Sequence, residues 1–238
     1  MSAEPSRAEV CVVACAEAWR GDGAILASPM GLIPSLGARL ARLTFEPGLL
    51  LTDGEAYLVD AEGGIEGWLP YAKVFTMLAA GRRHVMMGAA QIDRYGNQNI
   101  SAIGDWKRPQ AQLIGVRGAP GNTVNHPVSY WIPRHSPRVF TGHVDMVCGV
   151  GYDRGGPGPR ELRVVVTNLA VLDFGTPERV MRLRSVHPGV EVGEVVAATG
   201  FPLAVPDRVP VTRRPTDVEL GLIRTRLDPD GARGRELA

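Results

Sequence analysis

Two carboxylates, Asp53 and Glu55, flank Gly54 immediately after the apolar run at 49–51. A carboxylate at the end of a short buried strand is placed to act as a nucleophile or general base; the same residues also suit a solvated turn. A second group follows the apolar residues 85–87: Gly88-Ala89-Ala90-Gln91-Ile92-Asp93-Arg94-Tyr95-Gly96-Asn97-Gln98-Asn99. Its small residues let a ligand or another backbone come close, and Gln91, Asp93, Asn97 and Asn99 offer donors and acceptors for substrate binding. The alternative is a bulge or hairpin in which Asp93 and Asn97 satisfy local backbone groups. A third group, at 118–126, reads as a flexible loop whose Asn122 and Asn125 either bind a carbonyl or carboxylate or hold the loop itself. Arg134 and Arg138 surround His135-Ser136-Pro137 and suit either an anion or a solvated surface.

Other chemistries lack their residues. The histidines at 84, 126, 135, 143 and 187 form no compact ligand pair, so no metal is expected. Cys11 and Cys15 lie one helical turn apart and Cys148 stands alone, which suits reduced thiols buried as small hydrophobes. There is no Gly-Lys-Ser/Thr phosphate loop and no Gly-x-Ser-x-Gly elbow.

The elements that must position these groups alternate between helix and short strand. Residues 7–20 carry Val10, Val13, Ala14 and Ala18 on one face and predict a helix ended by Gly21-Asp22-Gly23. Strands are expected at 25–27, 49–51, 85–87, 113–116 and 144–147, with the longest β-rich run at 162–172. Ser35 is placed to cap a helix over Leu36, Leu40 and Leu43, and 71–80 predicts a helix with Val74, Phe75 and Leu78 inward. A strand end at Ser185-Val186 enters the turn His187-Pro188-Gly189, then a short helix over Val192, Val195 and Val196 that stops at Gly200-Phe201-Pro202. Residues 216–227 read as a capped helix, 228–238 as a frayed tail and 151–159 as an exposed insertion. Continuous apolar strands alternating with helices indicate a mainly parallel sheet covered on both faces, in one domain over 1–238. Ligands of such sheets bind beyond the carboxyl ends of the strands, which singles out the turns at 28–31, 52–55 and 88–99.

The formal net charge is +1 and aromatic residues make up 6% of the chain, so neither a basic field nor a stacking platform is available for nucleic acid. No apolar run approaches the roughly 18 residues of a membrane span, and the N-terminus lacks a cationic stretch leading into an apolar one. A cytoplasmic protein with no membrane partner is expected.

In combination, the blocks at 10–18, 31–51, 85–99, 118–125, 140–149 and 185–203, with Pro215-Thr216-Asp217-Val218-Glu219-Leu220 near the end, resemble the β-subunits of class I coenzyme A transferases. The resemblance implies a three-layer α/β/α fold, a homologous α-subunit in an α2β2 assembly, acyl-CoA substrates, sites at the α/β interface, and no cofactor beyond the coenzyme A of the substrate. Transferases of the family carry Ser-Glu-Asn-Gly after the strand corresponding to 49–51, and that glutamate forms the acyl-enzyme. Here Thr52-Asp53-Gly54-Glu55 stands instead, putting Asp53 or Gly54 at the nucleophile's place. Asp53 is shorter by a methylene, and a misplacement of about 1 Å costs about a hundredfold in a positioned reaction. The combination of Leu51-Thr52-Asp53-Gly54-Glu55-Ala56, Gly67-Trp68, Arg82-Arg83-His84-Val85 and the 91–101 stretch is similar to one branch of the family, the cholesterol ring-cleaving hydrolases. That resemblance implies hydrolysis of a carbon–carbon bond in a cyclic β-oxo-acyl-CoA of steroid breakdown. A glutamate base would come from the α-subunit, and Gln91, Asp93, Asn97 and Asn125 would shape the pocket. Coenzyme A transfer through Asp53 or Glu55, and a non-catalytic ligand sensor, are the alternative readings.

Overall fold

A computed structural model describes residues 4–54, 56–154 and 160–237. Helix α1 (Arg7–Glu17) begins in a reciprocal cap: Ser6 Oγ accepts from the Glu9 N–H and the Glu9 carboxylate accepts from the Ser6 N–H. There follow β1 (Leu26–Pro29), α2 (Leu32–Thr44), β2 (Leu50–Thr52), β3 (Tyr57–Val59), β4 (Ile65–Trp68), α3 (Tyr71–Ala80) and β5 (Arg83–Met87). Two short hairpins come next, β6 (Gln91–Ile92) with β7 (Gln98–Asn99) and β8 (Ala102–Ile103) with β9 (Ala111–Gln112). The second half holds α4 (Ala119–Asn125), β10 (Pro127–Ile132), β11 (Glu161–Thr167), β12 (Ala170–Asp173), β13 (Arg182–Val186), α5 (Val192–Ala197) and α6 (Asp217–Leu222). A π-helical turn (Ile223–Leu227) continues α6, and a 3-10 turn (Ala232–Leu237) closes the described chain.

Among the described residues the main sheet has nine strands in the order β13-β12-β11-β10-β5-β1-β2-β3-β4. The central run from β11 to β2 is parallel, and the pairs at each edge are antiparallel. Alternation with period two assigns the faces. Met86, Trp131, Val164 and Val166 pack against α1 and α2, with Ile223 and Leu227 closing that layer. Val85, Met87, Val128, Tyr130 and Ile132 pack on the other face with Ala119 of α4 and Phe140. The expected three-layer, mainly parallel α/β architecture is therefore present.

Several local expectations are corrected. Helix α2 starts at Leu32 with Gly31 as its N-cap, so Ser35 lies inside the helix and caps nothing. The stretch at 113–116 is not a strand because Gly115, at φ 83°, turns the chain. The stretch at 144–147 is a loop held from outside: the Asp145 N–H donates to Gln91 Oε1, and Asp145 Oδ2 accepts from the Gly104 N–H. The run at 162–172 is two strands, β11 and β12, that pair antiparallel. Within 118–126, Ala119–Asn125 is a helix, and Pro120 is tolerated because it sits in the first turn, where a missing N–H costs nothing. On α3 only Leu78 is buried; Phe75 is exposed.

The tail is anchored rather than frayed. Glu236 accepts hydrogen bonds from Trp131 Nε1 at 2.7 Å and from the Ile33 N–H at 2.9 Å. It thus supplies, from the far end of the chain, the anionic N-terminal cap that α2 lacks locally. Asp228 is buried and takes Arg233 in a 2.8 Å ion pair.

Candidate functional site

The parallel strands lie in the order β2-β1-β5-β10-β11, so the winding direction reverses between β1 and β5. Loops leaving the two sides of that point diverge and open a crevice at the carboxyl ends. A cavity of about 970 Å³ occupies it. Met30 and Gly31 line it after β1, Asp53 and Gly54 after β2, and Gly88, Ala89 and Ala90 after β5. Helix α3 contributes Val74, Phe75 and Leu78, and α4 contributes Ala119 and Asn122. Gly54 has φ 92°, and a Cβ there would lie 2.9 Å from the Pro29 carbonyl oxygen, so conformation and space both require glycine. All three turns singled out at the strand ends meet in this cavity.

Asp53 is on its wall, at the mouth. Its Oδ1 accepts from the N–H groups of Ala56 at 2.9 Å and Tyr57 at 3.1 Å, pinning the turn between β2 and β3. Glu55 lies outside the described residues. Of the other candidates Asn122 is on the wall, whereas Gln91, Asp93, Asn97, Asn99 and Asn125 are not. Gln91 Oε1 accepts from Asn99 Nδ2 at 2.7 Å and its Nε2 donates to Asp145 at 2.9 Å. Asn99 also caps the Ser101 and Ala102 backbone. Asn97 Nδ2 donates to Asp93 at 2.8 Å and to Asp153 at 2.7 Å, while its Oδ1 accepts from the Gly151 N–H. Asp93 accepts from the Tyr95 and Asn97 N–H groups; burial pushes its carboxyl up against the pull of those hydrogen bonds. Asn125 donates to the Leu78 carbonyl, tying α4 to α3. These side chains build the loop behind the cavity, the local-satisfaction alternative that their residue types also allowed.

The residue that sequence reasoning passed over is Arg83. It alternates with Val85 and Met87 on β5 and so shares their buried face, which is the signal that would have found it. Its Nε donates to Ser28 Oγ at 2.8 Å and an Nη to Asn122 Oδ1 at 3.3 Å, on the cavity floor.

A serine–histidine–aspartate array lies on the opposite face. His84 Nδ1 is 2.7 Å from Asp22 Oδ2, and its Nε2 is 3.0 Å from Ser129 Oγ. Its geometry resembles a hydrolase triad, but His84 and Ser129 have no exposed surface, and neither lines the crevice at the switch point. Burial holds the His84 pKa down against the Asp22 hydrogen bond, so the ring is neutral at pH 7. Ser129→Ala in the assembled enzyme is therefore expected to retain full turnover and to lose about 1 kcal/mol of stability with the hydrogen bond. Steady-state kinetics with a melting curve on the same sample check both.

Among the described residues no group of His, Cys, Asp or Glu could hold a metal ion, and no helix is long and apolar enough to cross a membrane.

The reversed winding, the glycine-lined crevice and the carboxylate turn after the second strand define an α/β chain with an open crevice at its sheet's switch point. This chain belongs to the coenzyme A transferase family, whose model matches residues 73–198. Within it, the chain is similar to the cholesterol ring-cleaving hydrolase IpdB subunit of Rhodococcus jostii RHA1, 53% identical over an alignment of 246 residues covering 99% of this chain and 97% of that protein. The crystal structure of Rhodococcus jostii RHA1 IpdAB matches with a TM-score of 0.94 at 52% identity, covering 99% of both chains. A subunit of the 3-oxoadipate CoA-transferase of Pseudomonas knackmussii is 30% identical over 91% of each chain.

Proposed function

We propose that this chain is the β-subunit of a cytoplasmic heteromeric enzyme that opens the ring of a cyclic β-oxo-acyl-CoA from steroid breakdown. Its partner is a homologous α-subunit, in an α2β2 assembly, and coenzyme A enters only as part of the substrate. The observation that carries this reading is an open cavity wall. Tyr71, Phe75 and Ile114, all on the lining, are each more than half exposed, at 66%, 55% and 67%. Large apolar side chains left in water around a site mark the seat of a partner or ligand. The whole-chain similarity to a ring-cleaving hydrolase subunit supports the same assembly.

In this reading water adds to the ring ketone, assisted by a base from the α-subunit. The adduct collapses to a carboxylic acid as the bond to the thioester's α-carbon breaks. The electron pair left on that carbon delocalises into the thioester as an enolate, which is then protonated. This chain supplies the apolar wall that holds the ring and excludes bulk water, and the close backbone approach that Gly88 allows. The test is to co-express the chain with its α-subunit and supply a cyclic β-oxo-acyl-CoA with no acyl acceptor. Ring opening is expected; an unchanged ring rejects the proposal.

The similarity to a CoA-transferase subunit favours a second reading, in which Asp53 or Glu55 is a nucleophile. Asp53 already accepts two backbone N–H groups, and Asn preserves an acceptor for them. Asp53→Asn is therefore expected to lower ring-opening kcat less than tenfold. A nucleophile at Asp53 requires a loss on the order of 10³-fold or more. Glu55→Gln, measured in the same assay, applies the same criterion to Glu55.

A further inference from the structure

We propose that Arg83 is a specificity-determining residue that binds a carboxylate carried by the acyl part of the substrate, beside its thioester. The inference rests on the proposed acyl-CoA reading of the cavity and narrows it to acyl groups that bear a second, free acid.

Arg83 is 6% exposed, and what it exposes faces the cavity. A guanidinium withdrawn from water to this extent ordinarily has a carboxylate beside it, because burying an unpaired charge is costly. Here both hydrogen-bonding partners are neutral, Ser28 Oγ and Asn122 Oδ1, and among the described residues no carboxylate pairs with Arg83. Those bonds use Nε and one Nη, leaving part of a five-donor fork available. They also fix its plane, since Ser28 lies on the neighbouring strand β1 and Asn122 on α4. The charge is felt locally: burial, then the nearby Arg83 cation, lower the pKa of His126. Burial also brings the Arg83 pKa down to about 10, which still leaves it charged at pH 7. A pre-oriented, desolvated and uncompensated cation on a cavity floor is the arrangement that captures a planar oxyanion in two parallel hydrogen bonds. The surrounding wall decides between the anions an acyl-CoA offers. Met30, Val74, Leu78, Met87 and Ala119 line the same cavity and suit a hydrocarbon bearing one carboxylate better than hydrated phosphates.

The test uses the assembled enzyme, wild type and Arg83→Met, with a cyclic β-oxo-acyl-CoA bearing a free carboxylate and with its methyl ester at that acid. Wild type is expected to prefer the acid, and Arg83→Met to lose about 100-fold in kcat/KM on the acid and less than threefold on the ester. Equal losses on both would make Arg83 structural and overturn the proposal. Titration calorimetry with cyclohexanecarboxylate and with cyclohexanecarboxamide gives a readout independent of turnover. The acid alone is expected to bind, and only to wild type; equal binding of acid and amide overturns the proposal. Affinity for free coenzyme A should be the same in both proteins, and a loss in Arg83→Met would assign the cation to a phosphate instead. If neither thioester is opened by wild type, the ring-opening reading fails while the calorimetry still decides on Arg83. Should Arg83→Met not assemble, Arg83→Lys, which keeps the charge but not the fork, is expected to show a smaller loss confined to the acid.

Discussion

Replacing Asp22 with alanine is expected to destabilise the assembled protein by about 3 kcal/mol, the low end of the cost of breaking a buried charged pair, because Arg163 is partly exposed and keeps Glu161 as a partner. Asp22 sits in the turn between α1 and β1, with its side chain out of water. One oxygen takes the His84 ring at 2.7 Å and the other takes Arg163 at 2.6 Å. Burial works to raise its pKa, and the His84 hydrogen bond with the Arg163 pairing overcome it, so the carboxyl ionises below its usual range. With Asp22 gone, the Arg163 cation on β11 loses its buried partner and a His84 ring nitrogen in the core loses its acceptor. Asp22→Asn keeps one acceptor and should lose less than half as much. Urea unfolding of the complex measures both, and a loss below about 1 kcal/mol for Asp22→Ala would show that the cluster contributes little.

Acidification is expected to cost a similar amount through two other histidines. His135 is buried, stacked on Phe140 at 3.8 Å between ring centroids and held by Thr167 and Thr199. His187 is buried with Nε2 facing the Thr167 carbonyl at 2.8 Å and Nδ1 facing Thr212. Burial lowers both pKa values from 6.5 to about 4. The unfolded chain therefore binds protons near pH 6.5 that the folded chain refuses until about pH 4. Stability is complete above pH 6.5 and falls as pH drops through that window, by about 2 kcal/mol per histidine at pH 5. Denaturant midpoints between pH 8 and pH 5 should show the fall, and His135→Gln with His187→Gln should reduce it, leaving the smaller part that His84 and His126 contribute. A pH-independent midpoint over that range would contradict the account.

The same histidines show what was legible in the sequence. The turn at His187-Pro188-Gly189 is visible from Pro and Gly, and it lies as expected between β13 and α5. That the ring reaches across to Thr167 on β11 is a tertiary fact that no local pattern carries. The strands at the cavity were readable because each is a short apolar run closed by Gly, Pro or Asp. The antiparallel edge strands β3 and β4 are not, since β3 has only three residues and β4 is mostly exposed, which dilutes the apolar signal. The 88–99 stretch puts Gly88, Ala89, Ala90 and Gln98 on the cavity, but Gln91, Asp93, Asn97 and Asn99 turn inward because a buried hairpin needs its own donors and acceptors matched. Arg83 was hidden by its neighbours: between Arg82 and His84 it reads as part of a polar start to a strand. Only the alternation with Val85 and Met87 places its side chain on the buried face.

The central claim is that this chain serves a hydrolase that cleaves a carbon–carbon bond rather than a carrier of coenzyme A between acids. The most direct measurement is mass spectrometry of the ring-opening products formed by the assembled complex in oxygen-18 water, without any acyl acceptor. One labelled oxygen in the new carboxylate, with the thioester to coenzyme A intact and its carbonyl unlabelled, is the predicted result. An unopened ring, with coenzyme A moving only once a carboxylic acid is added, would contradict it and restore Asp53 or Glu55 as the nucleophile.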